Sequence, residues 1–328
     1  MTLPGAPRAV VDAAGRPTLG RFQGLAHSFD WAALAPPLAR GRWWRRFHHK
    51  RWHYAALACD EVFCAVAIVD LGWTSTAFAY VFERHARRLV ATFSRDGLPG
   101  LGAQVASHAG GDSRFRFPGS RIDLVGAGEG GYTLALRCAG FELDARFAGA
   151  TPQLLAVGTV AGGSVHATQK SAGMALVGEV RIGARRIALD GGVASVDYSN
   201  GLLARDTDWR WACAHSLELG FNLQAGYFGA NENALWLDGE PIALGAARFD
   251  FDARDPMAPW QVATDDGLLE LAFTPEGMRH EDKNLIVAAS HYVQPIGTFS
   301  GWVRAAPGGA KKTVGGLPGV TEDHRSRW

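Results

Sequence analysis

Carboxyl groups placed among aromatic side chains are the parts of this sequence best suited to chemistry. Asp197-Tyr198 stands near the end of a glycine-rich strand, just before Asn200-Gly201. An inward carboxyl in such surroundings has its pKa raised, because desolvation disfavours the anion. It could give a proton to an alkene or take one from beside a carbonyl, with Tyr198 as partner. The local alternative is that Asp197 caps the Asn200-Gly201 turn through backbone amides. Trp209 and Trp211 are two apart and share one face of a strand, with Arg210 on the other. Their indoles would either wall a pocket and stabilise a developing cation, or fill a core. In Asn231-Glu232-Asn233 a continuing strand puts Glu232 on the face of Ala234 and Trp236. There it would serve as a second acid or base, or as half of a structural ion pair. Asn222 would orient a ligand carbonyl or satisfy a buried backbone group.

Lys170 is one of only five lysines, against 28 arginines, and it lies in a strand of small residues. A buried lysine must be neutral or paired, and Asp197 and Glu232 are its natural partners. His166, four residues earlier, shares its strand face. These residues make Lys170 and His166, with Trp209, Trp211, Trp236 and Asn222, the candidate ligand-binding set. Asp197, Tyr198 and Glu232 are the candidate catalytic set.

Several other chemistries are excluded by what is missing. His280, Glu281, Asp282 and His291 form neither H-x-H nor H-E-x-x-H, and Cys59, Cys64, Cys138 and Cys213 contain no C-x-x-C pair. Neither a metal nor a cofactor is therefore expected. There is no G-x-S-x-G elbow and no Walker loop, and the glycine-rich run 126–131 falls between short strands as a hairpin loop. Serine hydrolase, kinase and dehydrogenase readings fall away.

Charge narrows the partners. Lys+Arg 33 against Asp+Glu 32 gives a net charge of +1, so no global field favours nucleic acid. The neutral total conceals a basic aromatic stretch at 40–53, where Trp43, Trp44 and Trp52 interleave with Arg40, Arg42, Arg45, Arg46, Lys50 and Arg51. It reads as an internal clamp whose arginine stems cover apolar surface, with peripheral membrane contact as the alternative. With no signal-peptide or membrane-spanning run and dispersed cysteines, a cytoplasmic protein with reduced thiols is expected.

The elements that must position these residues are strands. Phe141, Leu143, Ala145 and Phe147 alternate with Glu142, Asp144 and Arg146, and Ala247, Phe249 and Phe251 repeat the pattern. Asp96-Gly97, Asp238-Gly239, Asp266-Gly267 and Glu276-Gly277 read as turns, the second closing a two-residue hairpin. Helical signals are few, the best being a short helix in 29–39 that ends before Pro36-Pro37 or is kinked there. The strand count exceeds one eight-stranded barrel. The expected organisation is a leader over 1–40 packing on the body, a first β-domain over 41–190 and a second over 191–328.

Gly191 to Trp211, the segment GFNLQAGYFGANENALWLDGE, the C-terminal GLPGVTEDHRSRW and TQKSAGMALVGEV at 168–180 together resemble a bacterial family catalogued as domain-of-unknown-function 2804. That family is distantly similar to double-lipocalin proteins, a group with carotenoid 1,2-hydratases, tocopherol cyclases and decalin-forming cyclases. The wider similarity rests on Asp197-Tyr198-Ser199-Asn200-Gly201 followed by W-x-W; where the enzymes often have His after the Asp, this chain has Tyr198. The resemblance implies two lipocalin-like (calycin-like) β-barrel or sandwich domains with a cavity in or between them. It also implies a hydrophobic ligand of isoprenoid, polyketide or lipid type. The expected activity is cofactor-free acid–base chemistry: hydration, cyclisation or isomerisation. The alternatives are a non-catalytic carrier of the same ligand and a filled structural module.

Overall fold

The computed structural model describes residues 3–98, 100–128, 130–284 and 288–328. Met1 and Thr2 of the expected leader and Glu129 of the glycine-rich run lie outside them. Almost the whole chain is β: a nearly closed barrel sheet is followed by a half-barrel sheet, the lipocalin-like pair. Among the described residues the first sheet has fifteen strands and the second nine.

Strands His49–Ala58, Val62–Asp70, Ser75–Glu83 and Arg88–Gly97 form an antiparallel meander in the first sheet. Strand Gly192–Leu202 joins this meander to the rest of the sheet. One of its edges pairs with His49–Ala58; the other pairs with Met174–Leu176 and then with His166–Lys170. The second sheet is another meander, with the C-terminal strand Lys312–Arg327 inserted between Asp206–His215 and Ala289–Val303.

Two apolar interiors fill the barrels. Leu57, Val66, Ile68, Leu134 and Tyr198 belong to the first, and Phe221, Leu235, Trp260, Phe273 and Phe299 to the second. A third cluster lies between the sheets, where Tyr54, Phe63, Tyr80 and Phe82 meet Trp211, Cys213, Ile296 and Val320. Burying each such large side chain contributes about 1.5–3 kcal/mol, so this seam holds the two sheets firmly. It also explains a sequence feature: both faces of Val62–Asp70 are covered, which is why VFCAVAIV is continuously apolar rather than alternating.

Turn chemistry follows the sequence at Asp238-Gly239. Both residues take positive φ, 52° and 84°, and they join Ala234–Leu237 to Glu240–Ala243 as a tight hairpin. Glu276-Gly277 is different: the pair sits inside the long strand Leu269–Asn284, where the register shifts between Pro275 and Gly277 as a bulge. Nor is Asn200-Gly201 a turn. Both residues continue strand Gly192–Leu202, and a Cβ on Gly201 would overlap the His166 imidazole across the ladder. Asp197 therefore has no turn there to cap.

The expected helix in 29–39 shrinks to one 3-10 turn, Trp31–Ala33, capped by Asp30. The α-helix lies later, at Arg42–His48, inside the basic stretch. Gly20–Gln23 adds a strand to Leu154–Thr159, and Val10, Ala26 and Trp31 are buried in the first core. The change from the first sheet to the second falls between Leu202 and Asp206, because Gly192–Leu202 is held by first-sheet partners on both edges.

Candidate functional site between the two sheets

Two rows of side chains face one another across the seam. In the first sheet, Asp197 lies directly opposite Tyr54 on one side and Lys170 on the other. In the second, Trp211 lies opposite Gln224 and Glu322, and Trp209 opposite His324. Between the rows is a cavity of about 110 Å3, with Trp52, Trp209, Tyr227, Tyr292 and Trp328 among its walls and Lys170, Asp197, Gln224, Glu232 and Glu322 as its polar lining.

Lys170 Nζ sits 2.5 Å from Asp197 Oδ2 and 3.2 Å from Glu232 Oε2; Lys170 and Glu232 are buried, and the Asp197 side chain is 13% exposed. Burial works against the Lys170 charge, but the Asp197 and Glu232 carboxylates outweigh it and hold its pKa above the ordinary lysine value. Burial raises the pKa of Asp197 against the pull of Lys170. It raises Glu232 likewise, with the Asp197 charge adding to the effect. One ammonium facing two carboxyls leaves a surplus acid, and that surplus favours retaining a proton on the carboxyl pair. Asp197 Oδ1 and both amide atoms of Gln224 are buried without a hydrogen-bond partner among the described residues. A buried, unpaired polar atom is costly unless something else meets it.

On the opposite wall Glu322 Oε1 accepts from Trp209 Nε1 at 2.9 Å and Oε2 accepts from Gln294 Nε2 at 3.0 Å. Gln294 Oε1 in turn accepts from Tyr80 Oη at 2.7 Å, so the carboxylate is fixed through a chain that reaches the first sheet. Aromatic packing orients the walls: Tyr54 meets Trp211 edge-on at 5.6 Å, and Trp52 and Trp209 lie nearly parallel at 6.4 Å.

The chain matches the family model described as Domain of unknown function (DUF2804) over residues 5–328. It belongs to that family. No curated protein matches it by sequence. Among solved structures, a protein from Nitrosomonas europaea provisionally described as an ATTH is similar, with TM-score 0.55 and 13% identity over 88% of this chain and 98% of that one. Kievitone hydratase from Nectria haematococca is similar at TM-score 0.51 and 9% identity, over 90% of this chain and 94% of that one. At these identities the likeness is one of fold.

Within this DUF2804 fold the sequence candidates separate. Lys170, Asp197, Glu232, Trp209 and Trp211 meet at the cavity, while Arg210 turns away to Asp208 and Asp323 at 2.9 and 3.1 Å. Tyr198 does not join them. It alternates into the first barrel, where its hydroxyl donates to Ala106 O at 3.0 Å and its ring packs on His53 and Phe29. Trp236 also lies elsewhere, its Nε1 donating to Pro152 O at 3.0 Å. The cause is that Glu232 precedes strand Ala234–Leu237, so the two do not share a strand face.

Asn222 is a support behind the wall: it accepts from Trp211 Nε1 at 2.8 Å and donates to the Glu232 carbonyl at 3.0 Å. His166 backs two walls, with Nε2 3.3 Å from Tyr227 Oη and its ring beside Trp52. Burial, with Lys170 adding, drives its pKa down to about 3, so it is neutral. His280, Glu281, Asp282 and His291 do not converge: Asp282 pairs with His291 at 2.5 Å, while Glu281 is engaged by Lys283 at 2.7 Å and by Arg279.

Tyr54, Gln224, Tyr227, Tyr292, Glu322, His324 and Trp328 were not singled out from sequence. A signal existed for two of them. Glu322 and His324 alternate around Asp323 in the same way as Trp211 and Trp209 around Arg210, and antiparallel pairing brings like faces together.

The ion-pair triad makes a stability prediction. Lys170→Met is expected to destabilise the fold by about 3–5 kcal/mol, because two carboxyls lose their shared buried cation. Adding D197N and E232Q to K170M is expected to recover much of that loss. Urea unfolding of the single and triple variants checks both outcomes.

Proposed function

We propose that the chain is an enzyme that binds a hydrophobic small molecule between its two sheets and performs cofactor-free proton-transfer chemistry on it, with hydration the favoured reaction. The observation that carries this reading is the surplus acid: two carboxyls share one buried lysine beside an apolar, indole-walled cavity, and Asp197 Oδ1 has no hydrogen-bond partner among the described residues. The double-lipocalin fold shared with kievitone hydratase supports hydration over the other proton-transfer reactions.

In this reading the carboxyl pair starts with one proton and Lys170 carries its charge. Asp197 delivers the proton to one carbon of an alkene. The cation left on the neighbouring carbon faces the indoles of Trp209 and Trp211, which stabilise it through their π faces. Water adds to that carbon and gives a proton back to the carboxylate, so the site ends as it began. Gln224, with neither amide atom partnered among the described residues, holds an oxygen substituent of the ligand and fixes which carbon is presented.

A second chamber of about 180 Å3, largely apolar, adjoins the first and shares Val69, Phe78, Tyr292, His324 and Trp328 with it as lining. The two together approach the lower end of the ~300–1,000 Å3 typical of small-molecule pockets. The reacting end of a ligand would occupy the inner chamber and its apolar remainder the outer one.

The test begins with mass spectrometry of apolar compounds recovered from the purified protein. The recovered compound, or an isoprenoid alkene in its place, is then incubated with the protein in 18O-labelled water. A product heavier by one labelled water supports hydration. Deuterium uptake from D2O without added oxygen points to isomerisation or cyclisation. A compound that binds and returns unchanged, without isotope, makes the protein a carrier.

A further inference from the structure

We propose that the rim of the outer chamber is a docking surface for an anionic lipid bilayer, formed by the helix Arg42–His48 together with Leu98 and Leu101. The helix has two faces. Inward, Trp44 and His48 stack with ring centroids 3.8 Å apart, and Trp44 packs against the first core. Outward, Trp43 and Phe47, one turn apart, are 78% and 55% exposed. Leu98 and Leu101 are 68% and 76% exposed, so four large apolar side chains point to solvent from these two segments. Isolated exposed apolar residues are ordinary; a group bordering an apolar chamber is not.

The turn 71–74 links the two segments. A Cβ on Gly72 would overlap the Arg46 carbonyl, so this turn lies directly against the end of the helix. On its other side Thr74 Oγ1 donates to Gly97 O at 3.2 Å, next to Leu98. Leu71, Trp73, Thr74 and Asp96 line the outer chamber, so the turn that touches the helix end and Gly97 forms part of its wall.

Charge selects the partner. No acidic residue lies between Asp30 and Asp60 in the sequence. Part of the basic stretch is occupied internally: Arg51 pairs with Asp70 at 2.6 Å, Arg45 donates to Arg40 O at 3.0 Å, and Lys50 Nζ donates to Leu71 O at 2.8 Å. Arg42 and Arg46 are exposed beside Trp43 and Phe47 and make no ion pair among the described residues. The nearby Asp96 is engaged by Lys283 at 2.6 Å. Unpaired guanidinium groups flanking exposed indole and phenyl rings match the chemistry of an anionic lipid interface, where basic side chains meet the lipid phosphates and the rings enter the headgroup layer. Among the described residues no helix is long and apolar enough to cross a membrane, so this contact is made at the surface by the rim. Delivery of a lipid-dissolved ligand from the bilayer into the outer chamber rests on the proposed function; the docking itself does not.

Sedimentation with phosphatidylcholine vesicles, with and without phosphatidylglycerol, tests the surface. The full chain is expected to sediment with the phosphatidylglycerol vesicles and to be released by raised salt. W43S/F47S and R42Q/R46Q are each expected to weaken this binding roughly tenfold or more, with unchanged thermal melting because all four side chains are exposed. Absence of vesicle binding by the wild type, or binding unaltered in both variants, overturns the proposal. So does loss of self-association in vesicle-free solution in the same variants, which assigns the face to a second copy. Turnover of ligand supplied in solution is expected to be untouched by these variants, so failed docking and failed chemistry are read separately.

Discussion

Asp197→Asn is expected to lower turnover by about 10²–10⁴-fold, the range for loss of a general acid or base, while ligand affinity changes little. The amide keeps the shape of the carboxyl and its place beside Lys170 but cannot give up and regain a proton at the ligand. The fold is expected to tolerate the change or gain from it. Lys170 keeps Glu232 as a partner, and the surplus acid is removed, which is the relation between a strained site and stability seen where function demands an uncompensated group. Single-turnover rates, ligand affinity and thermal melting of the variant check the three parts together. Wild-type rate should fall as pH rises, once the carboxyl pair loses its proton. Because burial raises both carboxyls, that fall comes at a pH above the ordinary carboxylate range. Undiminished turnover in D197N would remove Asp197 from the chemistry.

Acid should unfold the protein well before its surface carboxylates are all neutral. His53, His166 and His215 are buried, and burial drives the pKa of each from 6.5 down to about 3. Each leaves one ring nitrogen without a hydrogen-bond partner among the described residues, so a proton there would put an unpaired cation in the interior. The folded pKa lies below the unfolded one. The associated stability is therefore fully present above about pH 6.5 and is lost as pH falls towards 3. At a pH two units below the unfolded value each histidine has forfeited about 3 kcal/mol. Three such losses rival the whole ~5–15 kcal/mol of a folded domain.

Asp197 and Glu232 oppose this trend, since raised folded pKa values mean the native state takes up their protons more readily as pH falls. The triad's own contribution is instead lost as pH rises through those raised values. Urea midpoints measured from pH 7 down to 4 check the result: a steep decline below 6.5 is expected, and a flat profile would show that the three imidazoles are not held neutral. Replacing His53 or His215 by an apolar residue should flatten the decline by one histidine's share.

Much of this could be seen in the chain itself. Alternation in Phe141–Phe147 and Ala247–Phe251 marked strands with one wet face, and Asp238-Gly239 marked its hairpin, because both patterns depend on neighbours a few residues away. The scarcity of lysine pointed to Lys170, and electrostatic need pointed to Asp197 and Glu232 as its companions; the three meet. Family motifs identified the double-lipocalin class.

The sequence by itself determined which residues share a strand face: Trp209 with Trp211, Glu322 with His324, and Asp197 opposite in sense to Tyr198. Only the tertiary structure decided what each face meets. Both faces of Gly192–Leu202 are buried, one in the first barrel and one against the second sheet, so apolar patterning carries no information about which holds the ligand. That choice sends Asp197 to the cavity and Tyr198 into a core, and it comes from pairing with strands as distant as His49–Ala58. The same long-range register sets Glu322 beside Trp211, and the turn before Ala234 separates Glu232 from Trp236. Alternation is a property of the backbone of one strand; the identity of the opposing wall is a property of how distant strands pair and how two sheets pack.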